Sequence, residues 1–180
     1  LNSYLGEKDI DYEPIENIAK ISSTPMTVGG GINSLQKAIK LFSCGADKIY
    51  LNSVLFENKK IIDEIKYIYG SQSIVAGMNL VLFEKNYFLM EDKSKKINPV
   101  EYANLLQDYG VGEIKITFLD TEGTKKGIDL NYCKLLVNKL KLPLIFEGGI
   151  GNLKHLEEIF LNGVDAVALG TIITFNDYNI

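Results

Sequence analysis

Short apolar runs alternate with amphipathic stretches along most of this chain. Apolar residues recur every three or four positions in segments that predict helices over residues 15–22, 34–43, 58–69, 99–109, 130–140 and 153–161. Nearly continuous apolar runs such as SIVAGMNLVL and LPLIF predict strands over residues 26–29, 48–52, 73–82, 113–117, 142–146 and 166–171. Strands of this kind, separated by helices, are typical of a parallel sheet that is covered on both faces. The pattern therefore predicts an α/β protein.

One segment departs from this alternation. After residue 82 the chain reads FEKNYFLMEDKSKK, which predicts a β-hairpin because NYFLM favours strands and is flanked by charged turn residues. The hairpin follows the carboxyl end of a strand, which is the edge where barrel enzymes carry their active-site loops.

The chain also contains an internal repeat. Residues 24–53 align without a gap onto residues 142–171, at a constant offset of 118, with nine of thirty positions identical. Each copy reads as a strand, a Gly-Gly turn, a helix, a Gly-x-Asp turn and a second strand, which indicates a duplicated βαβ unit. We therefore expect a (β/α)8 TIM barrel with the two copies half a barrel apart. Residues 1–4 resemble the tail of a further strand, so residues 1–180 are predicted to form a single, partial barrel domain that lacks about the first one to two strands.

Composition narrows the choice of partners. The net charge is −4 and no basic run occurs, which argues against nucleic acid or an anionic membrane as a partner. Cys44 and Cys133 lie in separate predicted helices without motif spacing, so we expect reduced packing residues of a cytoplasmic protein. With one histidine and no cysteine cluster, neither a metal nor a cofactor is expected.

The Gly-Gly turns of the repeat are candidate phosphate sites. Each follows a predicted strand and precedes a helix, where backbone N–H groups attract anions. The alternative is that the glycines only permit the turn. The candidate phosphate ligands are Gly30, Gly31, Asn52 and Ser53 in the first copy, and Gly148, Gly149, Gly170 and Thr171 in the second.

Several segments together resemble one family. They are TVGGGINS, GADKIYLNS, YGSQSIVA, GVGEIKIT, DTEGTKKGID and GGIGNLKHLEEIFLNGVDAVA, in order over nearly the whole chain. This combination resembles the cyclase subunit of imidazole glycerol phosphate synthase, a barrel of the histidine-biosynthesis superfamily. The resemblance implies that a glutaminase partner releases ammonia, which crosses the barrel core and attacks a ribonucleotide carrying a phosphate at each end. Imidazole glycerol phosphate and an aminoimidazole-carboxamide ribonucleotide would then leave.

The resemblance also assigns further residues. It adds Gly123 and Thr124 to the phosphate ligands, and it places Asp47, Lys48 and Glu113 at the glutaminase-facing ammonia gate. The family uses two aspartates as general acid and base. The one on the first strand is absent here, and the one on strand five is replaced by Asn79, whose amide cannot transfer a proton at neutral pH. The catalytic candidates are therefore Asn79, Glu122 (which replaces the family's usual aspartate) and Asp120.

A second departure lies at the second phosphate turn. Glu147 stands where the family has a small hydroxyl residue, and a carboxylate repels phosphate unless a cation intervenes. Strand alternation would put Lys115, Thr117 and Glu147 on one face, which predicts an ion pair between Lys115 and Glu147. The alternative is that Lys115 extends alone into a wet channel.

Three functions stay open at this stage. The first is the cyclase reaction. The second is a related ammonia-using barrel that amidates a sugar precursor of a bacterial surface glycan, which fits Asn79 and Glu147 better. The third is a non-catalytic scaffold for a glutaminase, although two retained phosphate turns argue against it.

Overall fold

The computed structural model describes residues 10–94 and 96–174. The strand tail expected at residues 1–4 lies outside the described residues. The chain divides into two compact units, of which unit 1 holds the described residues up to 76 together with 109–112, and unit 2 holds 77–108 and 113–174. In both units parallel strands alternate with helices, so the predicted α/β class is confirmed. Each unit has the βα repeats of a (β/α)8 barrel.

Unit 1 is built on three parallel strands. Val28 pairs with Ile49, and Ile49 pairs in turn with Ile74. Apolar side chains of its helices, such as Leu41 and Ile65, are fully buried. Its elements are α1 (Glu13–Ile21), β1 (Thr27–Gly29), α2 (Leu35–Ser43), β2 (Lys48–Leu51), α3 (Val54–Glu57), α4 (Lys60–Tyr69), a 3-10 turn (Ser71–Ser73) and the first residues of β3 (Ile74–Phe83).

Unit 2 holds the rest of β3 and the remaining strands. The predicted hairpin is confirmed, because β4 runs antiparallel to β3 and Leu80 pairs with Leu89. Strands β5, β6 and β7 are parallel, with Thr117 opposite Glu147. Its further elements are β4 (Asn86–Leu89), α5 (Pro99–Tyr109), β5 (Glu113–Phe118), α6 (Leu130–Lys139), β6 (Leu144–Glu147), α7 (Leu153–Leu161), β7 (Ala166–Ala168) and α8 (Thr171–Thr174).

Two short helices correct the sequence prediction. The strand expected over residues 166–171 ends at Ala168, and Thr171 opens helix α8 instead of closing a strand. Helix α3, after β2, has no counterpart in the prediction. A helix of four residues makes one turn, which is too short for a helical period to stand out in the sequence. Elsewhere the observed bounds lie within two residues of the predicted ones.

The internal repeat extends to backbone geometry. Gly30 and Gly31 have φ angles of 108° and 68°, and their counterparts Gly148 and Gly149 have 113° and 73°. The helix that follows is capped in each copy by a polar side chain, Ser34 in one and Asn152 in the other. The φ angles of the two turns therefore agree within 5°.

No helix within the described ranges is long and apolar enough to cross a membrane.

Candidate functional site

The second Gly-Gly turn requires glycine at Gly149. Its φ of 73° is left-handed, and a Cβ there would lie 2.2 Å from the carbonyl oxygen of Gly127. Gly127 in turn donates its N–H to the carbonyl of Gly149 at 2.7 Å, which brings the loop after β5 against this turn. The packing of this loop therefore requires glycine at position 149 whether or not a ligand binds.

A pocket opens beside this turn at the carboxyl ends of β6 and β7. Its volume is about 350 Å³, including the solvent at its mouth. The structure brings five predicted phosphate ligands and the carboxylate candidate Glu122 together here. The five are Gly123, Gly148, Gly149, Gly170 and Thr171. The lining consists of Glu122, Gly123, Lys125, Glu147, Gly148, Gly149, Ile150, Ala168, Leu169, Gly170 and Thr171.

Two residues of the loop after β5 differ from expectation. Thr124 is not among the lining residues, because its hydroxyl is turned back to donate to the carbonyl of Thr121 at 2.7 Å. Lys125 does line the pocket, with a left-handed φ of 58°, and supplies a positive charge that sequence reasoning missed. The sequence did contain an indication of this charge, because two lysines follow Gly-Thr in the loop.

Glu147 enters the pocket as one half of an ion pair. Its carboxylate accepts hydrogen bonds from the ammonium of Lys115 and, at 2.8 Å, from the hydroxyl of Thr117. The side chains of Lys115 and Glu147 are 24% and 26% exposed. The predicted ion pair is confirmed, and the alternative of an unpaired Lys115 is wrong. Half-buried charges need such partners because water no longer solvates them fully.

The first Gly-Gly turn lies at the corresponding edge of unit 1. Gly29 pairs with Tyr50, so Gly30 and Gly31 leave β1 beside the end of β2, where Asn52 and Ser53 follow. Ser53 is the N-cap residue of α3, without a capping hydrogen bond from its side chain. The four predicted ligands of this copy thus lie at neighbouring strand ends.

Asn79 has a carboxylate partner that sequence reasoning missed. Its side-chain Nδ2 donates to Oε1 of Glu91 at 2.8 Å, and both residues are half-buried. The carbonyl of Asn79 accepts from the N–H of Met90, also at 2.8 Å. The hairpin register, which pairs Leu80 with Leu89, returns the chain to Asn79. The sequence alone does not give this register, so it carried no signal for the Glu91 contact.

The other two catalytic candidates lie in different surroundings. The carboxylate of Asp120 accepts from the N–H of Leu82 at 2.5 Å, so it ties the loop after β5 to the end of β3. Glu122 is exposed at the pocket. No contact that the structure describes joins Asp120 or Glu122 to Asn79.

The ammonia-gate candidates stand at strand starts. Asp47 and Lys48 lie at the amino end of β2 in unit 1, and Glu113 opens β5 in unit 2. The carboxylate of Asp47 accepts from the N–H of Met26 at 2.7 Å. Its repeat counterpart Asp165 does the same for the N–H of Leu144 at 3.1 Å. Asp47 therefore has a structural role, which its recurrence as Asp165 in the second copy indicates. Its role in an ammonia gate stays a prediction.

Both cysteines are buried, free thiols, which confirms their packing role. Burial, and secondarily the charge of Asp129, raises the pKa of Cys133 to about 12. Neither thiol lines the pocket.

Comparison with known proteins agrees with the resemblance. A family model described as "Histidine biosynthesis protein" matches residues 1–179. A protein of Petrotoga mobilis is 37% identical over 169 residues, which cover 91% of this chain and 67% of that protein. Proteins of Chlorobium limicola and Pyrococcus furiosus are 35% and 34% identical, each over 92% of this chain and over 69% and 67% of their own lengths. All three are named imidazole glycerol phosphate synthase subunit HisF. The chain therefore belongs to the histidine biosynthesis protein family.

Proposed function

We propose that this protein is the cyclase subunit of an imidazole glycerol phosphate synthase. It uses ammonia to cyclise a ribonucleotide that carries two phosphates. The observation that carries the proposal is the Gly148–Gly149 turn beside a pocket that also holds Lys125, duplicated in backbone conformation at Gly30–Gly31. The names of the relatives support it.

The pocket chemistry suits a phosphate. Backbone N–H groups of a glycine turn donate to phosphate oxygens without a side chain in the way, and the ammonium of Lys125 adds a charge-assisted contact. Glu147 would repel a phosphate, but Lys115 balances its charge and Thr117 holds its oxygen. The repulsion is thereby reduced.

A glutaminase is the proposed source of ammonia. The relatives are named as subunits, which supports a complex. Of the proposed gate residues, Asp47 and Lys48 lie at the amino end of β2 in unit 1, and Glu113 opens β5 in unit 2. Substrate loops of barrel enzymes lie at the carboxyl ends, so these amino ends are available to a partner.

The test is turnover of the ribonucleotide with saturating ammonium salt in place of the partner. We expect conversion to imidazole glycerol phosphate and the carboxamide ribonucleotide. Lys125→Ala should raise KM about tenfold, which corresponds to roughly 1.4 kcal/mol of phosphate contact. The matched control is Lys154→Ala, since Lys154 is 79% exposed on α7 and should leave KM unchanged. Absence of turnover in the wild type would contradict the proposal.

Glu147 favours a second candidate, amidation of a sugar precursor of a surface glycan. A carboxylate in the pocket suits a ligand group that is less negative than phosphate. Glu147→Ser should tighten binding of the ribonucleotide under either proposal. Only under the second should the wild type amidate a sugar precursor with ammonia and leave the ribonucleotide untouched.

A further inference from the structure

We propose that Glu147 is a specificity-determining residue that selects a phosphate with a proton on one of its oxygens, because its Oε1 accepts a hydrogen bond from that O–H group. The inference rests on the proposed function, since it names the form of phosphate that the pocket of unit 2 takes. A fully ionised phosphate, which has no donor to offer, is the form that Glu147 disfavours.

The two carboxylate oxygens of Glu147 have different surroundings. Oε2 accepts hydrogen bonds from the ammonium of Lys115 and, at 2.8 Å, from the hydroxyl of Thr117. Among the residues that the structure describes, no hydrogen bond or ion pair reaches Oε1. An ionised carboxylate accepts hydrogen bonds through both of its oxygens. Because Glu147 lines the pocket, Oε1 is the oxygen available to a ligand.

The direction of this oxygen is set before a ligand binds. Glu147 is the last residue of β6, and both donors to its Oε2 come from the neighbouring strand β5. Thr117 is the register partner of Glu147 and is only 4% exposed. A carboxylate restrained in this way loses little rotational freedom when a ligand binds, so a contact to Oε1 retains most of its strength.

The rest of the pocket attracts an oxyanion of either kind. The turn at Gly148 and Gly149 and the ammonium of Lys125 line the same pocket. Backbone N–H groups and an ammonium donate to any oxyanion, whether or not it carries a proton. A phosphate has several oxygens, so these donors can contact its ionised oxygens while its O–H faces Glu147. The glycine turn and Lys125 then attract the anion, and Glu147 discriminates between its forms.

The discrimination follows from the chemistry of a carboxylate. A fully ionised phosphate has acceptors only, so an oxygen of it placed against Oε1 would bring two negative acceptors together without a proton between them. A protonated phosphate donates to Oε1 instead. The second ionisation of a phosphate monoester lies near about pH 6, so part of the ligand keeps this proton at neutral pH.

The second carboxylate of the pocket provides a comparison. Glu122 lines the pocket but is exposed. Within the described part of the chain, its side chain has no hydrogen bond or ion pair that would fix its direction. Water solvates such a carboxylate and screens its charge, so we expect Glu122 to weaken the binding of all anions slightly without discriminating between them.

The test titrates the isotope-labelled protein with inorganic phosphate and with sulfate at slightly alkaline pH and follows the amide of Gly149 by NMR. Most phosphate then has the same double negative charge as sulfate, but it keeps one O–H, which sulfate lacks. The wild type should bind phosphate about tenfold more tightly than sulfate, the gain expected from a hydrogen bond to a charged acceptor. Equal affinities, a preference for sulfate, or no shift with either ion would overturn the proposal.

Glu147→Gln tests the residue directly. The amide oxygen of the new side chain should stay with the donors of Lys115 and Thr117, which turns its NH2 group toward the pocket. A donor then stands where Oε1 stood, so the ratio of the phosphate and sulfate affinities should fall to about one or below. The substitution keeps the size of the side chain, and the wild-type ratio is informative without any variant.

The matched control is Glu122→Gln, which removes the same charge from the same pocket. It should tighten the binding of both ions and leave their ratio within about twofold of the wild-type value. An unchanged preference for phosphate in Glu147→Gln would overturn the proposal. Loss of the preference in Glu122→Gln alone would also overturn it, because Glu122 would then be the discriminating carboxylate.

Turnover of the ribonucleotide separates this inference from the proposed function. A wild type that is active but binds phosphate and sulfate equally overturns the role of Glu147 and leaves the cyclase proposal standing. A wild type that is inactive but loses its preference for phosphate in Glu147→Gln supports the role of Glu147 and contradicts the cyclase proposal.

Discussion

At the residue scale, the pocket of unit 2 contains groups that attract anions beside a group that repels them. Its glycine turn and Lys125 attract anions, whereas Glu147 repels them. The ion pair between Lys115 and Glu147 weakens this repulsion, because it holds the carboxylate in place and balances its charge. Alternation along two strands was enough to predict this pair. The Glu91 contact could not be predicted in the same way, since it depends on the register of a hairpin whose turn residues, Glu84 and Lys85, follow no common turn signature.

Breaking the Lys115–Glu147 pair should be costly. Lys115→Met leaves a half-buried carboxylate without its cation, so we expect the free energy of unfolding to fall by about 2 kcal/mol, between the values typical of surface and buried pairs. A double-mutant cycle with Glu147→Gln, measured by denaturant unfolding, should give a coupling energy of about 1–2 kcal/mol. A coupling near zero would show that the pair contributes nothing to stability.

Two glycines with the same φ angle allow the cost of a left-handed backbone to be measured separately from the cost of a steric clash. Gly123 and Gly149 both have a φ of 73°, but a Cβ would meet nothing within 4 Å at Gly123 and a backbone oxygen at 2.2 Å at Gly149. Gly123→Ala should cost about 1–2 kcal/mol of stability from the left-handed conformation alone. Gly149→Ala should cost roughly 1–3 kcal/mol more from the clash. Equal losses of stability, measured by thermal or denaturant unfolding, would mean that the Gly149 turn relaxes freely.

At the scale of elements, both copies of the repeat use the same aspartate contact to join the second strand of the βαβ unit to the first. Asp47 and Asp165 each bind the N–H near the start of the preceding strand, at Met26 and Leu144. A four-residue helix also begins at the end of each copy, α3 directly after residue 53 and α8 at residue 171. The long helices and the strands follow from apolar periodicity. The short helices do not, because one turn carries too few residues to show a period.

The aspartate contacts can be tested one copy at a time. Asp165→Ala should lower stability by about 1–2 kcal/mol, and Asp47→Ala by about 1 kcal/mol because its contact is exposed. Amide hydrogen exchange should show faster exchange at Leu144 in the first variant and at Met26 in the second. Asp165→Asn keeps an acceptor oxygen and serves as the control with a smaller loss. Unchanged protection of Leu144 in Asp165→Ala would contradict this role.

At the scale of the whole molecule, the family follows from motifs spread over nearly the entire sequence. A family model covers residues 1–179, and the three relatives span 91–92% of the chain. Residue roles are harder to predict, because Asp47 and Asp120 use their carboxylates to hold backbone N–H groups. A motif fixes which residue occupies a position, whereas the contacts of its side chain depend on chain segments far away in sequence.

The central claim is that the two Gly-Gly turns bind the phosphates of the substrate. Its most direct test is a titration of the isotope-labelled protein with the bis-phosphorylated ribonucleotide, followed by backbone amide NMR. We expect the amides of Gly31 and Gly149 to shift saturably with a single Kd, and inorganic phosphate to shift them at much higher concentration. The amide of Gly163, a turn glycine after α7, is the control and should not move. Binding that leaves the amides of both Gly31 and Gly149 unperturbed would contradict the account, as would no binding at all.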